Sequence, residues 1–591
     1  MFGIENKEDK LEHNRHTLAH LLAYAVLKDY PHAKPTIGPA IDNGFYYDFD
    51  FSGGDAPSEG DLKKLEKTMK KTLSSWKEFS HKEVSAGEAR EAFKGNEFKT
   101  ELIDDLEKEG ATITLYTVGE GKTEFTDLCR GGHSKSPAKD IDASAFKLST
   151  LAGAYWRGDE KNPMLVRIYG YAFDSADELD AYLTQLEEAK KRDHRKIGKE
   201  MDLFTFSELV GPGLPLWTPK GAILRKVLDD YIWKLRESYG YTQVAIPHIT
   251  KRDLYEKSGH WEKFADELFR IETREGKEYA LKPMNCPHHT QIFERKPHSY
   301  RDMPQRYAET TMVYRDEQSG ELGGLTRVLS ITQDDSHVFC RYSQIKEEFF
   351  KIWDMIDTFY GAFGFSMRVS LSFHDPATFE KYLGDKDVWK ASENALREIA
   401  KERKADYFEA PGEAAMYGPK IDFMAKDSLG REHQVATIQL DMILPDRFDL
   451  ICINEKGERE RIVMIHCAIM GSIERFSGVL IEHLGGNFPL WLSPEQIRVI
   501  PVADVHNAYA EEVFKKLKGV DIRASLDISN ESMGKKIRNA KKERLPYFIV
   551  VGDKEVAEKT VTLESRDGSS QNIDVESLGN HLLAEIDTKS M

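Results

Sequence analysis

Apolar positions recur at helical spacing near the start of the chain. Residues 12–30 are predicted to form an amphipathic helix, and Pro31 ends it. Its apolar stripe consists of Leu18, Leu21, Leu22, Ala25 and Val26. The segment 37–51 has two apolar runs around the turn signal Asn43-Gly44, which predicts a β-hairpin. Residues 59–108 are highly charged, and their pattern is typical of helices.

Farther along, the pattern predicts a linker helix over residues 175–200 and then a long mixed region up to Leu490. That region alternates long helices with β-rich runs and has no dinucleotide-binding glycine fingerprint. Within it, residues 239–248 read as a strand that Pro247 ends. The tail reads β-α-β-α-β over Ile497–Val502, Ala508–Leu517, Val520–Leu526, Gly534–Arg544 and Tyr547–Val551.

Composition restricts the class of protein. The 591 residues are 40% hydrophobic and 31% charged, which is typical of folded globular domains rather than disordered chains. The net charge of −17 argues against wholesale coating of nucleic acid, although a local basic groove remains compatible with it. The first ten residues have no apolar core, and no run of 18 apolar residues occurs, so neither a signal peptide nor a membrane span is predicted. Five widely spaced cysteines indicate reduced thiols and a cytoplasmic location.

Two histidine pairs suggest chemistry in the first third of the chain. His16 and His20 are four apart on the predicted helix, so they project from one face. Thr17 stands where a zinc protease helix carries glutamate, which weakens a protease interpretation. Cys129 and His133 are also four apart, but two intervening glycines favour a loop. The alternatives are a zinc hydrolase site and partly exposed helix histidines with no ligand.

Three motifs in order carry a resemblance to class II aminoacyl-tRNA synthetases. Residues 239–248 resemble motif 1, Arg315-Asp316-Glu317 with Arg327 resembles motif 2, and Gly471–Arg475 resembles motif 3. Cys286, His337 and His466 are interleaved with them. The two histidine pairs also resemble those of an editing domain, and so do the segments 41–48 and 152–159. Together with the motifs and the tail, they make residues 12–591 resemble threonyl-tRNA synthetases. The small N-terminal ubiquitin-like domain of many bacterial members is not expected here.

That resemblance implies a multidomain α+β and α/β protein. It implies an α+β editing domain over residues 1–175, a linker helix over 176–200, an antiparallel-sheet catalytic core with flanking helices over 201–490 and an α/β anticodon-binding domain over 491–591. The implied partners are ATP, threonine, tRNA(Thr) and a second copy of the chain through motif 1. No membrane partner is expected.

The implied catalytic residues each bind a different part of ATP or of the amino acid. Arg315 clamps the α-phosphate or the carboxylate, Glu317 accepts from the adenine amino group, Arg327 reaches the γ-phosphate and Arg475 stacks on adenine, with Mg²⁺ bridging the phosphates. Further pocket residues implied by the resemblance are Met284, Gln333, Asp335, Tyr417, Lys420, Gln434, Gln439 and Ser472. For each arginine alone, a surface salt bridge is the ordinary alternative.

Cys286, His337 and His466 offer one thiolate and two imidazoles, a zinc ligand set with one position left open. The alternative is three buried residues without a metal. An open zinc can be chelated by the amino and hydroxyl groups of threonine, whereas valine lacks the oxygen, and a site built around a hydroxyl rejects such an analogue by roughly 10⁴-fold. Asp335 is expected to accept from that hydroxyl.

Serine keeps the hydroxyl and lacks only a methyl, which is worth about 10–200-fold. A second, hydrolytic site is therefore expected. By resemblance, His16, His20, Cys129 and His133 form a pocket that hydrolyses seryl-tRNA, and this pocket works without a metal. Asp127 and Tyr47 are expected to line it.

The tail is expected to bind RNA, because basic residues crowd its second helix. Asn530, Arg544 and Glu555 are the candidate anticodon contacts, and Glu564 stands where the family usually has an arginine. Val435-Ala436 replaces a more usual Cys-Gly beside Gln434. The competing hypothesis from another class is a catalytically silent, synthetase-like RNA-binding or regulatory protein.

Overall fold

A computed structural model of the chain describes residues 7–589, which divide into two units at Glu187–Glu188. The first unit contains six helices among the described residues, the last of which runs across the boundary: α1 (Lys7–Asp29), α2 (Leu62–Leu73), α3 (Ala86–Ala92), α4 (Glu97–Glu109), α5 (Pro137–Asp140) and α6 (Ala176–Arg192). Its strands are β1 (Lys34–Pro35), β2 (Ala40–Ile41), β3 (Gly44–Asp50), β4 (Phe79–Glu83), β5 (Thr114–Val118), β6 (Phe125–Leu128), β7 (Phe146–Tyr155) and β8 (Met164–Ala172).

Helix α1 organises the first unit because every residue of its predicted apolar stripe is buried. Leu18, Leu21 and Leu22 are buried against Phe45 and Phe49 of β3 in one core. Strand β3 lies in a five-stranded antiparallel sheet of order β1-β3-β8-β7, with β2 also paired to β3. The predicted hairpin is thus confirmed. A second antiparallel sheet, β4-β5-β6, carries Asp127 on its last strand.

The second unit begins its described helices with α7 (His194–Glu200), α8 (Pro219–Ser238), α9 (Arg252–Ser258), α10 (His260–Lys263), α11 (Cys286–Glu294), α12 (Ile345–Gly361), α13 (Lys386–Glu402), α14 (Ile443–Arg447) and α15 (Ile473–Leu484). Its strands up to the same point are β9 (Phe204–Thr205), β10 (Leu216–Trp217), β11 (Thr242–Gln243), β12 (Ile249–Lys251), β13 (Arg270–Glu272), β14 (Glu278–Leu281), β15 (Gln305–Tyr314), β16 (Ser330–Cys340), β17 (Ser366–Phe373), β18 (Tyr407–Pro411), β19 (Lys420–Lys426), β20 (Glu432–Asp441), β21 (Ile451–Ile453), β22 (Arg459–Arg461) and β23 (Val463–Ser472).

An eight-stranded sheet of order β11-β15-β16-β23-β20-β19-β17-β18 forms the middle of this unit. It is antiparallel except at its two edges, where β11 and β18 run parallel to their neighbours. Helices α12 and α15 pack against β23 and bury Phe359 and Phe476 in the largest apolar core. The predicted antiparallel sheet with flanking helices is confirmed.

The tail adds β24 (Ile497–Pro501), α16 (Asn507–Gly519), β25 (Ala524–Leu526), α17 (Met533–Lys542), β26 (Tyr547–Val551), α18 (Asp553–Glu558), β27 (Thr560–Ser565), β28 (Ser570–Asp574) and α19 (Val575–Thr588). These strands form a separate five-stranded sheet of order β25-β24-β26-β27-β28. The first five elements agree with the predicted β-α-β-α-β order. The predicted elements end at Val551 and do not include α18, β27, β28 and α19. Of these, β28 is a mostly exposed, polar edge strand without apolar alternation.

Three predicted elements differ in the structure. The linker helix over 175–200 is two helices, because Asp193 has non-helical backbone and its side chain accepts the Arg195 N–H as an N-cap for α7. The charged segment 59–108 contains a strand, β4, that its exposed polar residues did not reveal. The strand over 239–248 shrinks to Thr242–Gln243, since the Ile246 N–H donates to the Glu309 side chain instead of a neighbouring strand. No helix among the described residues has the length and apolarity needed to cross a bilayer.

Candidate functional site

One cavity of about 610 Å³ in the second unit collects every residue predicted for amino-acid activation. The predicted residues on its wall are Met284, Cys286, Arg315, Glu317, Arg327, Gln333, Asp335, His337, Tyr417, Lys420, Gln434, Gln439, His466, Ser472 and Arg475. They come from segments almost 200 positions apart. The fold alone brings them together, since sequence spacing cannot.

Strand alternation explains how the sheet presents this wall. Gln333, Asp335 and His337 are two residues apart on β16, so their side chains lie on one face of the sheet. The β16–β23 pairing sets His337 directly opposite His466, and the β20–β23 pairing sets Gln439 opposite His466. The cavity floor is therefore a row of polar side chains on adjacent antiparallel strands.

The three predicted metal ligands converge at the buried end of the cavity. Their candidate ligand atoms all lie within 4.8 Å of one another, and His337 Nε2 is 3.1 Å from His466 Nδ1. Cys286 and His337 are each 1% exposed, and His466 is 8% exposed. Burial raises the pKa of the Cys286 thiol well above its ordinary value and lowers the pKa of His337 well below its own. The imidazole of His337 is therefore neutral, which metal ligation requires.

The outer partners of the two imidazoles fit a bound metal. Asp441 lies 2.9 Å from His466 Nε2, and His289 Nδ1 lies 2.7 Å from His337 Nδ1. With Asp441 accepting a hydrogen bond from Nε2–H, His466 keeps its Nδ1 lone pair facing His337. Metal-ligating histidines are characteristically held through their second nitrogen in this way. The donor set and its supports thus suit a zinc ion with one position left for another ligand.

The remaining pocket residues are held by contacts of their own. Asn285 donates to the Asp335 carboxylate at 2.9 Å, and burial raises the pKa of that carboxyl. Lys420 Nζ lies 2.7 Å from Asp422 Oδ2, and the Tyr417 ring centroid is 5.0 Å from that of His466. The wall next to the metal ligands is therefore both polar and preorganised.

The other end of the cavity is more exposed and carries the arginines. Arg327 is 49% exposed, and its Nε donates to Glu317 at 2.8 Å. Arg475 lies in the first turn of α15, where Ser472 caps the helix by accepting the Arg475 N–H at 3.1 Å. With Arg315, these side chains form a cationic region suited to phosphates, and the N-terminus of α15 adds to its field.

A second cavity, of about 530 Å³, lies in the first unit and is lined by five of the six predicted editing residues, all except His133. Cys129 Sγ lies 3.5 Å from His16 Nε2 and 3.5 Å from His133 Nε2, and His16 and His20 approach through their Nε2 atoms at 3.2 Å. Gly131 and Gly132 both have positive φ, which lets the loop turn His133 back toward Cys129. The four side chains also satisfy the spacing of a metal site.

Asp127 contacts His20 of this cluster and links it to Tyr47 and Lys99. Its carboxylate accepts from Tyr47 at 2.5 Å, lies 3.3 Å from His20 Nδ1 and forms an ion pair with Lys99 Nζ at 2.5 Å. Lys99 and Asp127 are each 2% exposed. Burial alone would raise the pKa of Asp127, but Lys99 and His20 hold it well below its ordinary value. The pocket therefore contains a buried network of alternating charge.

The thiol and imidazoles of this cluster are strongly perturbed. Burial raises the pKa of Cys129, but hydrogen bonds from His133, His16 and His20 lower it to about 3. Burial lowers the pKa of His20, but hydrogen bonds to Asp127 and Cys129 raise it to about 9. Burial lowers the pKa of His133 to about 4. At neutral pH Cys129 is therefore a thiolate, His20 an imidazolium and His133 neutral.

The candidate anticodon residues occupy different settings in the tail. Asn530 is exposed in the segment between β25 and α17. Arg544 follows α17 and lies 3.2 Å from the Glu200 carboxylate. Glu555 accepts from Gly552 N and Thr562 Oγ1, so its carboxylate already holds the local turn together.

Sequence reasoning missed the groups that support both sites. Lys99 sits in a charged helix whose pattern reads as exposed, so no signal marks it as buried. His289 follows His288 in the motif that contains Cys286, and two consecutive histidines beside a candidate ligand were an available signal. Asp441 ends a strand far from its partner in sequence, and only the β20–β23 register brings it to His466.

Comparisons with known proteins agree with this arrangement. Residues 269–484 match the tRNA synthetase class II core domain (G, H, P, S and T), and residues 496–585 match the anticodon binding domain. The chain is 47% identical to the threonine–tRNA ligase of Gloeobacter violaceus over 95% of this chain and 90% of that protein. It is also 47% identical to the enzyme of Staphylococcus aureus, over 95% of this chain and 86% of that one.

Among solved structures, the RNA binding domain of threonyl-tRNA synthetase from Cryptosporidium parvum matches with a TM-score of 0.64 and 39% identity, covering 66% of this chain and 98% of that one. Two cavities with the expected residues, two matched domains and near-half identity over almost the whole length point to one conclusion. The chain belongs to the threonine–tRNA ligase family of class II aminoacyl-tRNA synthetases.

Proposed function

We propose that the second-unit cavity makes threonyl-adenylate from threonine and ATP and passes the threonyl group to the 3′ end of tRNA(Thr). The observation that carries this proposal is the gathering of all fifteen predicted activation residues on one wall, with Cys and His ligands at its buried end and arginines at its exposed end. That polarity matches a substrate pair with a small amino acid on one side and a triphosphate on the other.

The chain's own part in the reaction is positioning and charge neutralisation. Arg315 binds the α-phosphate or the carboxylate, so the threonine carboxylate attacks the α-phosphorus between held groups, the bond from that phosphorus to the β-phosphate oxygen breaks, and pyrophosphate leaves. The hydroxyl at the 3′ end of the tRNA then attacks the carbonyl carbon of the adenylate, and AMP leaves. Arg327 binds the γ-phosphate, Glu317 accepts from the adenine amino group and Arg475 covers the base. Without ATP, the Arg327–Glu317 ion pair holds both side chains at the exposed end of the cavity. Bound ATP then replaces this contact with its own contacts to the two side chains. Magnesium accompanies ATP on the phosphates.

Cys286, His337 and His466 are proposed to hold a zinc ion, with Asp441 and His289 fixing the two imidazoles. Zinc supplies a Lewis-acidic position that the amino and hydroxyl groups of threonine can fill. Asp335, held by Asn285, accepts from the same hydroxyl. Valine offers no oxygen to these groups, so it is rejected by roughly 10⁴-fold.

Serine passes this test with a penalty of only about 10–200-fold. We infer that the first-unit cavity removes it by hydrolysing seryl-tRNA(Thr). The alternating charges of Asp127, Lys99 and His20 can orient a water, and the burial of these three side chains strengthens each contact. This assignment needs no metal, although the four side chains are spaced to hold one.

Three further assignments complete the proposal. The tail binds the anticodon stem-loop through Asn530, Arg544 and Glu555, of which Asn530 has the most exposed setting. A homodimer forms through the motif 1 segment, residues 239–248, and the next residue, Ile249, is 50% exposed. A cytoplasmic location is consistent with five cysteines that are all free.

The test is amino-acid-dependent ATP–pyrophosphate exchange with threonine, serine and valine, together with zinc content. We expect about one zinc per chain, serine slower than threonine by about 10–200-fold and valine slower by about 10⁴-fold. Absence of exchange with threonine in metal-replete protein would instead support the silent RNA-binding protein.

A further inference from the structure

His194, the first residue of α7, is buried outside the cavity, and both of its ring nitrogens are engaged. It is 4% exposed. The backbone N–H of Leu325 donates to His194 Nε2 at 3.0 Å, and His194 Nδ1 lies 2.7 Å from Glu482 Oε1. The His194 backbone N–H reaches the same Glu482 oxygen at 3.1 Å. The proposed function uses neither His194 nor Glu482.

These contacts determine the ring's protonation. A backbone N–H can only donate, so Nε2 must offer its lone pair to Leu325 and the proton must lie on Nδ1. Glu482 accepts a hydrogen bond from Nδ1–H. It is held in turn by Arg431, whose guanidinium donates to Glu482 Oε2 at 2.7 Å and to Asp427 Oδ2 at 2.7 Å. The imidazole is thus held at Nδ1 by Glu482, which is itself ion-paired with Arg431. Both ring nitrogens are engaged, so neither is left for a metal.

The partner of His194 lies in the loop that carries Arg327. Leu325 is fully buried two residues before Arg327, between β15 and β16. Next to it, Gly324 has a φ of +59°, and a Cβ there would lie 2.4 Å from His194 Nε2. Gly478 of α15 lies against the same loop on another side, and a Cβ there would be in ordinary contact with Leu325 at 3.5 Å. The loop rests directly on the imidazole edge.

We propose that His194 is a positioning residue for ATP: through the Leu325 N–H it fixes the loop that presents Arg327 to the γ-phosphate. The inference rests on the proposed ATP-binding role of Arg327. Without the acceptor at Nε2, a buried amide loses its partner, and the loop must shift or admit water. The effect falls on ATP and not on threonine, whose proposed ligands lie at the buried end of the cavity.

Two matched substitutions separate the two ring nitrogens. His194→Asn keeps a donor where Nδ1 stands and loses the acceptor for Leu325, whereas His194→Gln carries an acceptor out to the position of Nε2. We expect His194→Asn to raise the KM for ATP about tenfold in the exchange assay, the cost of one buried hydrogen bond. The KM for threonine and the thermal midpoint should stay near the parent values, and His194→Gln should recover most of the ATP affinity.

His483→Asn is the matched control, since His483 also uses both ring nitrogens, on Ser428 N and Phe363 O, without touching the loop. It should leave the KM for ATP unchanged. An unchanged KM for ATP in His194→Asn would overturn the inference, and so would equal losses for ATP and threonine with a lowered thermal midpoint. Arg327→Ala distinguishes the two proposals: if it too leaves the KM for ATP unchanged, the proposed role of Arg327 has failed.

Discussion

The two units each contain a cluster of cysteine and histidine, and the surroundings give the clusters opposite electrostatics. Cys286 is buried and its sulfur lies 3.9 Å from His260 Nε2, but burial lowers the pKa of His260 to about 3, so this imidazole is neutral. With no cation facing the sulfur among the described contacts, burial raises the pKa of the thiol. Around Cys129 three imidazoles face the sulfur and lower its pKa to about 3. Cysteine and histidine therefore form a site without a cation in the second unit. In the first unit they form a site in which the thiolate is offset by neighbouring positive charge.

The difference explains why a metal is proposed for one cluster and not for the other. The first becomes ionised only if a cation such as Zn²⁺ joins it, and Asp441 and His289 already orient its imidazoles. The second has its positive charges built in, on His20 and Lys99, so it can organise a water without a metal. Residue identity alone is a poor guide to metal binding, and the neighbouring charges are a better one.

The largest expected effect tests the first half of this comparison. Cys286→Ala should lose the bound zinc and reduce threonine-dependent exchange by roughly 10⁴-fold, because the hydroxyl-selecting position disappears. Zinc is measured by elemental analysis and exchange by pyrophosphate incorporation. Cys452→Ala, a buried cysteine outside both cavities, is the control and should keep metal and activity.

The same variant also tests the second half. If Cys286→Ala protein still carries one metal per chain, the first-unit cluster binds it, and the zinc hydrolase interpretation returns for that cavity. Retained threonine exchange after loss of the metal would contradict the assignment of the zinc site itself.

The next effect concerns hydrolysis. Asp127→Asn should slow deacylation of seryl-tRNA(Thr) by about 10²–10³-fold, since it removes the negative charge that orients Lys99 and His20. Threonine activation should be unchanged, because the second unit holds that cavity. Deacylation is followed with preformed seryl-tRNA, and His32→Gln in the same unit is the control. Loss of threonine activation in Asp127→Asn would show that the two activities are not separate.

Sequence could predict the chemistry of both clusters but not their charge. The three motifs are local patterns, and the resemblance that they support predicts Cys286, His337 and His466 as a ligand set without a structure. Lys99 was not, because α4 is rich in charged side chains and its pattern does not mark the one that is buried. Which charges face a thiol depends on packing between elements distant in sequence, and periodicity carries no such information.

The same holds for the fold. The amphipathic stripe of α1 and the hairpin around Asn43-Gly44 were predicted because each pattern is contained in one segment. The break at Asp193 had a local signal, an N-cap residue, that the run of basic residues obscured. Strands β4 and β28 gave no apolar alternation, since their side chains are mostly exposed. Exposed polar strands are defined by their neighbours rather than by their own sequence.

The smallest expected effect is on stability and sharpens the electrostatic account of the first unit. The pKa of His20 is raised from 6.5 to about 9. The groups that surround this imidazole are Asp127, Cys129, Lys99, Tyr47 and the imidazoles of His16 and His133. A group whose pKa is raised on folding stabilises the fold fully below the unfolded value, and this contribution is lost as pH rises through the folded value. At about 1.4 kcal/mol per pKa unit, the contribution near neutral pH is at most about 3 kcal/mol.

His20→Gln removes the titrating group while keeping a polar side chain. The parent chain should therefore unfold at a higher temperature than His20→Gln at pH 6–7, by several degrees for the transition of the first unit. This difference should shrink steadily between pH 7 and pH 10. His81→Gln, an exposed histidine in the same unit, should show no such convergence. A difference that stays constant across this range would mean that His20 is neutral in the folded chain, and the fixed positive charge proposed for this cavity would then have to come from Lys99 alone.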